Sequence, residues 1–414
     1  MSAYLKFHWQ LLRRRWPWAG LIILILGVMW GGLLHEQQQQ TRYVTAYREY
    51  LKASAKRWAN RPDDAGTYGS AKFQLASLKD PAEYAQNYAQ SLPKYISRQR
   101  SGRQIYPDVF YHVMVFDSNG KDPFHNNETK ATIQELKIVT QQKLVTLFPT
   151  RMLTNEKTAT SYSGSEEEYQ NFFQRSSQRF YTTGWYFLEH YLRQPLVLVL
   201  IISCLMMLIF DWPQSLSKQE SQSHWLRLTQ VSWRRQYYTN FINKAIGSLL
   251  ILLSILGIFL LGSRLIAEWG SLQYPIFIWQ GLKKFAFKPL WQVLLLKIGL
   301  CYLLLLFAFA CYQLLAVMTR STVLTTFSAA FICLLSLLVP PVWWSPLSYF
   351  DVQRTVDHFR YLEMGAGNWW LTIIVLLVWT GLLLFSGDLI YQLHERRNGQ
   401  QMYLGSHKLK GMRA

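Results

Sequence analysis

Eighteen consecutive positions, Pro17–Leu34, carry no charged side chain. Wound as a helix at ~1.5 Å per residue they reach roughly 27 Å, close to the ~30 Å hydrocarbon core of a bilayer. Five further apolar runs follow at Leu196–Phe210, Ala245–Leu265, Ile298–Met318, Val323–Val339 and Trp370–Ile390. Aromatic residues in Gly184–His190 precede the second run and suit the membrane interface. A backbone in lipid must satisfy its own N–H and C=O groups, so each run is expected to be a helix. Only 16% of the residues are charged, against about 25% in soluble domains. The mean hydropathy is nevertheless only +0.02, which requires a sizeable polar region beside the apolar blocks. The expected fold class is an α-helical polytopic membrane protein with six transmembrane helices and a large extracellular α or α+β domain between spans one and two.

The first run resembles a signal peptide in its basic start, Lys6 and Arg13-Arg14-Arg15, but no A-x-A-like cleavage site follows. The chain continues through Leu34-His35-Glu36 into four glutamines, which marks a retained span. Six spans place both termini on one side. The short segments on that side hold fifteen cations: Lys6, Arg13, Arg14, Arg15, Lys218, Arg227, Arg234, Arg235, Lys244, Arg320, Arg396, Arg397, Lys408, Lys410 and Arg413. The other side holds seven: Arg264, Lys283, Lys284, Lys288, Lys297, Arg354 and Arg360. The positive-inside rule therefore puts both termini in the cytoplasm, and the expected setting is a cell membrane, that of a bacterium. Long loops translocate regardless of charge, so His35–Arg193 lies outside.

Overall, 43 Lys and Arg against 24 Asp and Glu give +19 and a pI near 9.7. The cations flank apolar blocks rather than forming one basic face, so the anionic partner is the lipid surface and not nucleic acid. Cys204, Cys301, Cys311 and Cys333 all sit in apolar runs and read as small buried hydrophobes. They show no zinc spacing, and no metal site is expected.

The expected layout is a cytoplasmic amphipathic segment 1–16, a first span 17–34, an extracellular domain 35–194 and a second span 195–210. A cytoplasmic loop 211–244 follows, then span three 245–265, an outer interfacial segment 266–297 and span four 298–318. Span five is 323–339, an outer loop 340–369, span six 370–390 and a tail 391–414. In the outer domain, Gln37–Asn60 lacks Pro and Gly, so the first helix is expected to continue past the membrane. Pro62–Gly66 reads as a turn, Pro81–Ile96 as a helix and Val109–Phe116 as a strand ending in the turn Asp117-Ser118-Asn119-Gly120. Ile133, Leu136, Val139, Leu144 and Leu147 share one face of a helix over Thr129–Phe148. Glu166–Glu168 reads as a solvated loop, and His112 and His125 lack partners at metal spacing. The domain offers a docking or gating surface rather than chemistry.

The cytoplasmic loop is the informative stretch. Trp225, Leu228 and Ser232 suit one buried helix face, while Lys218, Arg227, Arg234 and Arg235 stay wet, as in a short amphipathic helix against an anionic leaflet. Glu220, the Leu226/Leu228 helix, Val231-Ser232 with Arg234, and Lys244 follow in an order that resembles the first cytoplasmic loop of ABC-2-type transport permeases, the membrane halves of type V ABC exporters. Ser221-Gln222-Ser223 stands where that family has Gly-Thr, and Gln230 where Pro is usual. Pro346-Leu347-Ser348-Tyr349-Phe350-Asp351 resembles the family's Pro-x-x-Tyr-Phe-Asp segment before its last span. The resemblance covers roughly residues 1–34 and 190–400, chiefly through layout.

That resemblance implies a coupling helix carrying Lys218, Glu220, Arg227, Leu228, Arg234 and Arg235, docked into a separate cytoplasmic ATP-binding subunit. It also implies a connecting helix over Tyr4–Trp16 and a second permease half, identical or similar. The chain itself has no G-x-x-x-x-G-K-[ST] phosphate loop, so ATP and Mg would be bound by the partner, and no cofactor is expected here. The implied activity is export of an amphipathic or hydrophobic cargo such as a peptide, antibiotic or lipid-like molecule. Permeases with a large first outer loop often serve bacteriocin or antimicrobial-peptide export and immunity.

Polar residues inside the runs complete the reading. Lys297, Arg264 and Asp388 lie at span edges and read as snorkelling. Gln313 lies deeper and is a candidate path-lining residue. Lys283–Trp291 reads as an amphipathic segment in the outer headgroup layer, and Trp343, Trp344, Trp369 and Trp370 as interface anchors. Two alternatives remain. One is a sensor whose outer domain binds a ligand, though the tail Tyr391–Ala414 leaves no room for an output domain. The other is a membrane-embedded enzyme for lipid-linked substrates, for which Asp351, Asp357, His358 and Glu363 are the clustered acids and histidine.

Overall fold

In the computed structural model, residues 17–59, 75, 131, 134–145, 147, 179–193, 197–203, 233–281, 284–319 and 322–411 are described. The expected elements at Tyr4–Trp16, Pro62–Gly66, Pro81–Ile96, Val109–Phe116 and Glu166–Glu168, and most of the cytoplasmic loop, lie outside these residues.

The first helix, α1, runs unbroken over Pro17–Trp58. Proline suits its first turn because the missing N–H has no intrahelical partner there. Met29 and Leu33, four apart, are buried with Ile25 and Leu26, while Ile23, Leu24 and Val28 are exposed. An apolar surface all round a helix is the signature of one packed on one side and facing lipid on the other. Part of the second expected span, 197–203, is helical, with Val197, Leu198, Leu200 and Ile201 buried. The short aromatic helix α2, Gly184–Tyr191, precedes it.

Helix α3 spans Trp233–Ile266 and buries Leu252, Ile255, Leu256 and Phe259, one face at helical spacing. It packs along α1. At Gly262 a Cβ would overlap the Trp30 ring, and the Trp30 indole N–H donates to the Phe259 carbonyl at 3.3 Å. Glycine there is what lets the two helices approach. Buried Ser248, Ser263 and Thr380 donate to the carbonyls of Ala245, Leu260 and Leu376, the usual way a hydroxyl is satisfied inside an apolar helix.

Strands β1 (Pro275–Gly281) and β2 (Lys284–Pro289) form an antiparallel hairpin pairing Phe277 with Phe287 and Trp279 with Phe285. Within the segment Lys283–Trp291, residues 284–289 are thus a β-strand, and α4 takes up its last two positions. Lys-Phe-Ala-Phe-Lys alternates at period two, so Phe285 and Phe287 share a face with Phe277, at ring separations of 5.4 and 6.1 Å. Helix α4, Leu290–Thr319, starts directly after Pro289 and eight residues ahead of the expected edge at Ile298. It is the central helix. Of its most apolar stretch 61% is buried, against 33% for α3 and 28% for the last helix.

Helix α5, Thr322–Leu335, is shorter than the expected span 323–339, with turns at 336–338 and a bend at 339. A cap follows: a 3-10 turn at Pro346–Tyr349, then α6 (Val352–Val356) and α7 (Phe359–Met364). Helix α8, Trp369–Gly411, continues well past the expected end of span six at Ile390 and packs chiefly on α4. The protein is thus mostly helical, and among the described residues three helices are long and apolar enough to cross a membrane: Tyr237–Ile266, Leu290–Thr319 and Trp369–Leu393. This is a helical membrane protein. The hairpin and cap lie at one end of the bundle, the hairpin end; Arg234 lies at the other, the loop end.

Candidate functional site

Of the residues expected to couple to a partner, Lys218, Glu220, Arg227 and Leu228 lie outside the described residues. Arg234 and Arg235 occupy the first turn of α3, and both are exposed. Arg234 Nε lies 3.3 Å from Asp388 Oδ2 on α8. Asp388 is therefore buried and paired rather than snorkelling alone. One turn further on, Tyr237 is fully buried and its carbonyl accepts from Gln313 Nε2 of α4 at 2.9 Å. Gln313 is 2% exposed, so its amide bridges helices α3 and α4. A Cβ at Gly387 would overlap the Tyr237 hydroxyl, so α8 admits the phenol only because glycine stands there. Lys244 Nζ sits 5.3 Å from the Tyr312 ring centre, and the Tyr302 hydroxyl donates to the Ala245 carbonyl at 3.0 Å. The first turns of α3 are thereby bound to both α4 and α8.

The hairpin end is built on buried charge. Lys297, read from sequence as an edge residue, has no exposed surface. Its ammonium lies 2.6 Å from Glu189 Oε1, donates to the Glu189 carbonyl at 2.6 Å and donates to Gln353 Oε1. All three donors of the ammonium are used, and α2, α4 and α6 meet at one atom. Each charge here depends on the other, because an uncompensated buried ion costs ~3–5 kcal/mol. Next to Glu189, the His190 ring stacks on Tyr181 at 4.0 Å. Burial, with Arg193 and Lys297 nearby, pushes the His190 pKa down to about 2, so the imidazole is neutral.

Asp351 and Glu363 in the cap face two guanidiniums. Arg354 lies 3.4 Å from Asp351 and 3.3 Å from Glu363; Arg360 lies 3.0 Å from Glu363 and 3.7 Å from Asp351. Asp351 also caps α6 by accepting from the Arg354 N–H at 3.1 Å. Asp357 accepts from the Phe359 N–H at 2.9 Å. Burial pushes its carboxyl up to about 7 against that hydrogen bond, with the Asp351 charge adding to the rise. The structure therefore brings Asp351, Asp357, His358 and Glu363 into one cap, but Asp351 and Glu363 are neutralised by arginines. Among the described residues no group of His, Cys, Asp and Glu is arranged to hold a metal.

A third buried ion pair ties the polar region to the hairpin. Arg179 makes a bidentate contact with Glu135 at 2.7 and 2.6 Å, and the Tyr274 hydroxyl donates to Glu135 Oε1 at 2.5 Å. Such a fork is among the stronger charge-assisted arrangements. Glu135 sits on the helical stretch 134–141, whose Leu136 and Val139 are buried as the periodicity predicts. A turn at 142–143 ends it, so Leu144 and Leu147 lie outside the helix expected over Thr129–Phe148. The Tyr181 N–H also donates to Glu36 of α1 at 3.1 Å.

Sequence reasoning missed Glu135, Arg179, Glu189, Tyr274 and Gln353. One signal was available: Glu189 is a lone acid in the aromatic stretch Gly184–Tyr191, and Lys297 a lone cation in a long apolar run. Isolated opposite charges in two apolar segments are costly unless they meet. Comparison of the chain with protein-family models, with curated proteins and with solved structures finds no match.

Proposed function

We propose that this chain is the membrane-spanning permease subunit of an ATP-driven exporter. Six spans would carry an amphipathic or hydrophobic cargo out of the cell, with both termini cytoplasmic and residues 35–194 outside. The loop end is then the cytoplasmic end. A separate ATP-binding subunit docks on loop 211–244, binds ATP and Mg, and moves a pair of such chains between two arrangements. The observation that carries this reading is the binding of the first turns of α3 to two other helices through Arg234–Asp388 and Gln313–Tyr237. A displacement imposed on the loop enters the helix bundle at that point. From Gln313 to Lys297 is sixteen residues of α4, roughly 24 Å at helical rise, so one rigid helix joins the loop end to the buried ions at the hairpin end. Replacing Glu220 and Arg227 together, then measuring ATPase co-purification and cargo efflux, tests the proposal. Loss of both is expected; unchanged values for both would remove the coupling role.

A sensor reading is favoured by one contact, the Glu135–Arg179–Tyr274 cluster that joins the polar region to the hairpin. Under it, ligand binding outside would be felt by α4 through β2. Absence of any co-purifying ATPase, with a ligand-dependent change in Tyr or Trp fluorescence, would select this second reading.

A further inference from the structure

A cavity of about 300 Å³ lies beneath the cap, between α4, α6, α7 and the start of α8. That volume is at the lower bound of small-molecule sites, ~300–1,000 Å³. Its long wall is one face of α4: Leu296, Gly299, Leu300 and Leu303, spaced three and four apart. A Cβ added to Gly299 would meet nothing within 4 Å. Glycine inside a helix costs ~1 kcal/mol relative to alanine, and here it widens the slot instead of allowing a close helix approach. Leu295 lines the slot and is exposed, as are Ile374 and Leu377 on α8, one and four positions beyond the lining residue Ile373. That flank belongs to two helices long and apolar enough to cross a membrane, so the slot opens sideways toward lipid chains.

The other end of the slot is polar. The Tyr361 and Thr372 hydroxyls bond each other at 2.7 Å, and His358 and Trp369 also line the cavity with ring nitrogens. His358 has φ of 66°, a left-handed conformation unusual outside glycine, of the kind that clusters at ligand sites. Burial, and then the nearby positive charge of Lys288 on β2, lower the pKa of its imidazole. Lys288 does not line the slot, but its strand pairs Lys288 with Ile276. On the same hairpin the Trp279 N–H donates to the Asp357 carbonyl, beside His358, at 2.9 Å. An apolar slot with a cation on the adjoining strand is the complement of an anionic amphiphile.

We propose that this cavity binds one acyl chain of a phospholipid from the leaflet at the hairpin end, with its phosphate held at the rim by Lys288 and His358. The chain would wedge between α4 and α8 and pack under the cap, so the site would couple lipid occupancy to cap position. The proposal needs these helices to lie in a bilayer and is independent of the exporter reading.

The full chain would be reconstituted in phosphatidylglycerol vesicles containing a phosphatidylglycerol probe with a diazirine near the end of one acyl chain. After illumination, adducts would be mapped by peptide mass spectrometry. Adducts are expected to concentrate on residues 295–303 and to saturate as the probe fraction rises. Gly299→Phe, which fills the slot, should lower them about tenfold, equivalent to ~1.4 kcal/mol of lost affinity. Gly381→Phe, on an open face of α8, should leave them unchanged. Adducts spread over exposed Leu377, Leu382 and Phe385 as heavily as over 295–303, rising in proportion to the probe, would overturn the site. If Gly299→Phe does not fold, saturation in the native chain decides alone. A phosphatidylcholine probe should label more weakly, and Lys288→Gln should weaken phosphatidylglycerol labelling; equal labelling in all three cases would overturn the headgroup assignment.

Discussion

The two ends of the helix bundle are held by different physics. At the hairpin end, Lys297 and Glu189 form a buried contact that half-buried Gln353 completes, and the Asp351–Arg354–Arg360–Glu363 network stands beside it. At the loop end the ion pair is lopsided: the Arg234 side chain is 66% exposed while that of Asp388 is 6% exposed. A pair with one partner in water is worth ~0–1 kcal/mol, whereas breaking a buried pair costs several. The hairpin end is therefore the fixed end. Among the described residues the loop end is held by packing of Tyr237 against Gly387, by the Gln313–Tyr237 and Tyr302–Ala245 hydrogen bonds and by Lys244 against the Tyr312 ring. With its ion pair half in water, it is the end that can rearrange at lower cost.

The comparison can be broken most directly at Lys297. Lys297→Met alone leaves Glu189 buried without its cation, and a loss of ~3–5 kcal/mol is expected, read as a large drop in the thermal unfolding temperature of the detergent-solubilised protein. Adding Glu189→Leu should recover most of it, because the cost lies in the orphaned charge. A single variant as stable as the native chain would mean that the hairpin end is not the fixed one.

Asp357 gives a smaller effect with a defined pH signature. Its carboxyl is raised to about 7 in the fold, against ~3.9 unfolded, so the folded state favours the protonated form. The stability this contributes is complete below about pH 4 and is lost as pH rises through about 7. Relative to the native chain, Asp357→Asn should therefore become more stable between pH 5 and pH 8, by differential scanning fluorimetry at matched ionic strength. A pH-independent difference would exclude Asp357 as the titrating group.

Arg234→Gln should have the smallest effect on unfolding, ~1 kcal/mol or less; on the proposed exporter reading it should also reduce cargo efflux while leaving co-purification of an ATP-binding partner intact. A destabilisation matching that of Lys297→Met would erase the contrast between the two ends.

Much of the scaffold was legible because helices in lipid demand long uninterrupted apolar runs. The runs at Ala245–Leu265, Ile298–Met318 and Trp370–Ile390 lie within α3, α4 and α8, and the first run lies within the single helix from Pro17 to Trp58. Edges were legible only where punctuation was local. Pro289 separates β2 from α4, but Lys297 argued for a later start because an unpaired cation does not belong in a span. The hairpin was written in period two, Phe285 and Phe287 against Lys284 and Lys288, yet the same residues also fit an amphipathic helix, and only pairing with Phe277 and Trp279 decides between them.

The candidate sites were less legible, since they join segments far apart in sequence. Lys297 meets Glu189 across 108 positions, and Tyr274 meets Glu135 across 139. Neither partner is announced by spacing. Gln313 was picked out as a polar residue deep in a span, but whether such an amide lines a path or bonds to a neighbouring backbone depends on what faces it, and here the Tyr237 carbonyl does.

Composition and hydropathy by themselves determined that this is a membrane-embedded helical chain with one long polar insertion, because transfer of apolar residues from water is a local, additive property. Only the tertiary structure decided which charges are buried, which pair, and which end of the bundle is held fast. Those are properties of two groups meeting at a few ångströms in a low-dielectric interior, where the partner's presence changes a cost of several kcal/mol into a contact.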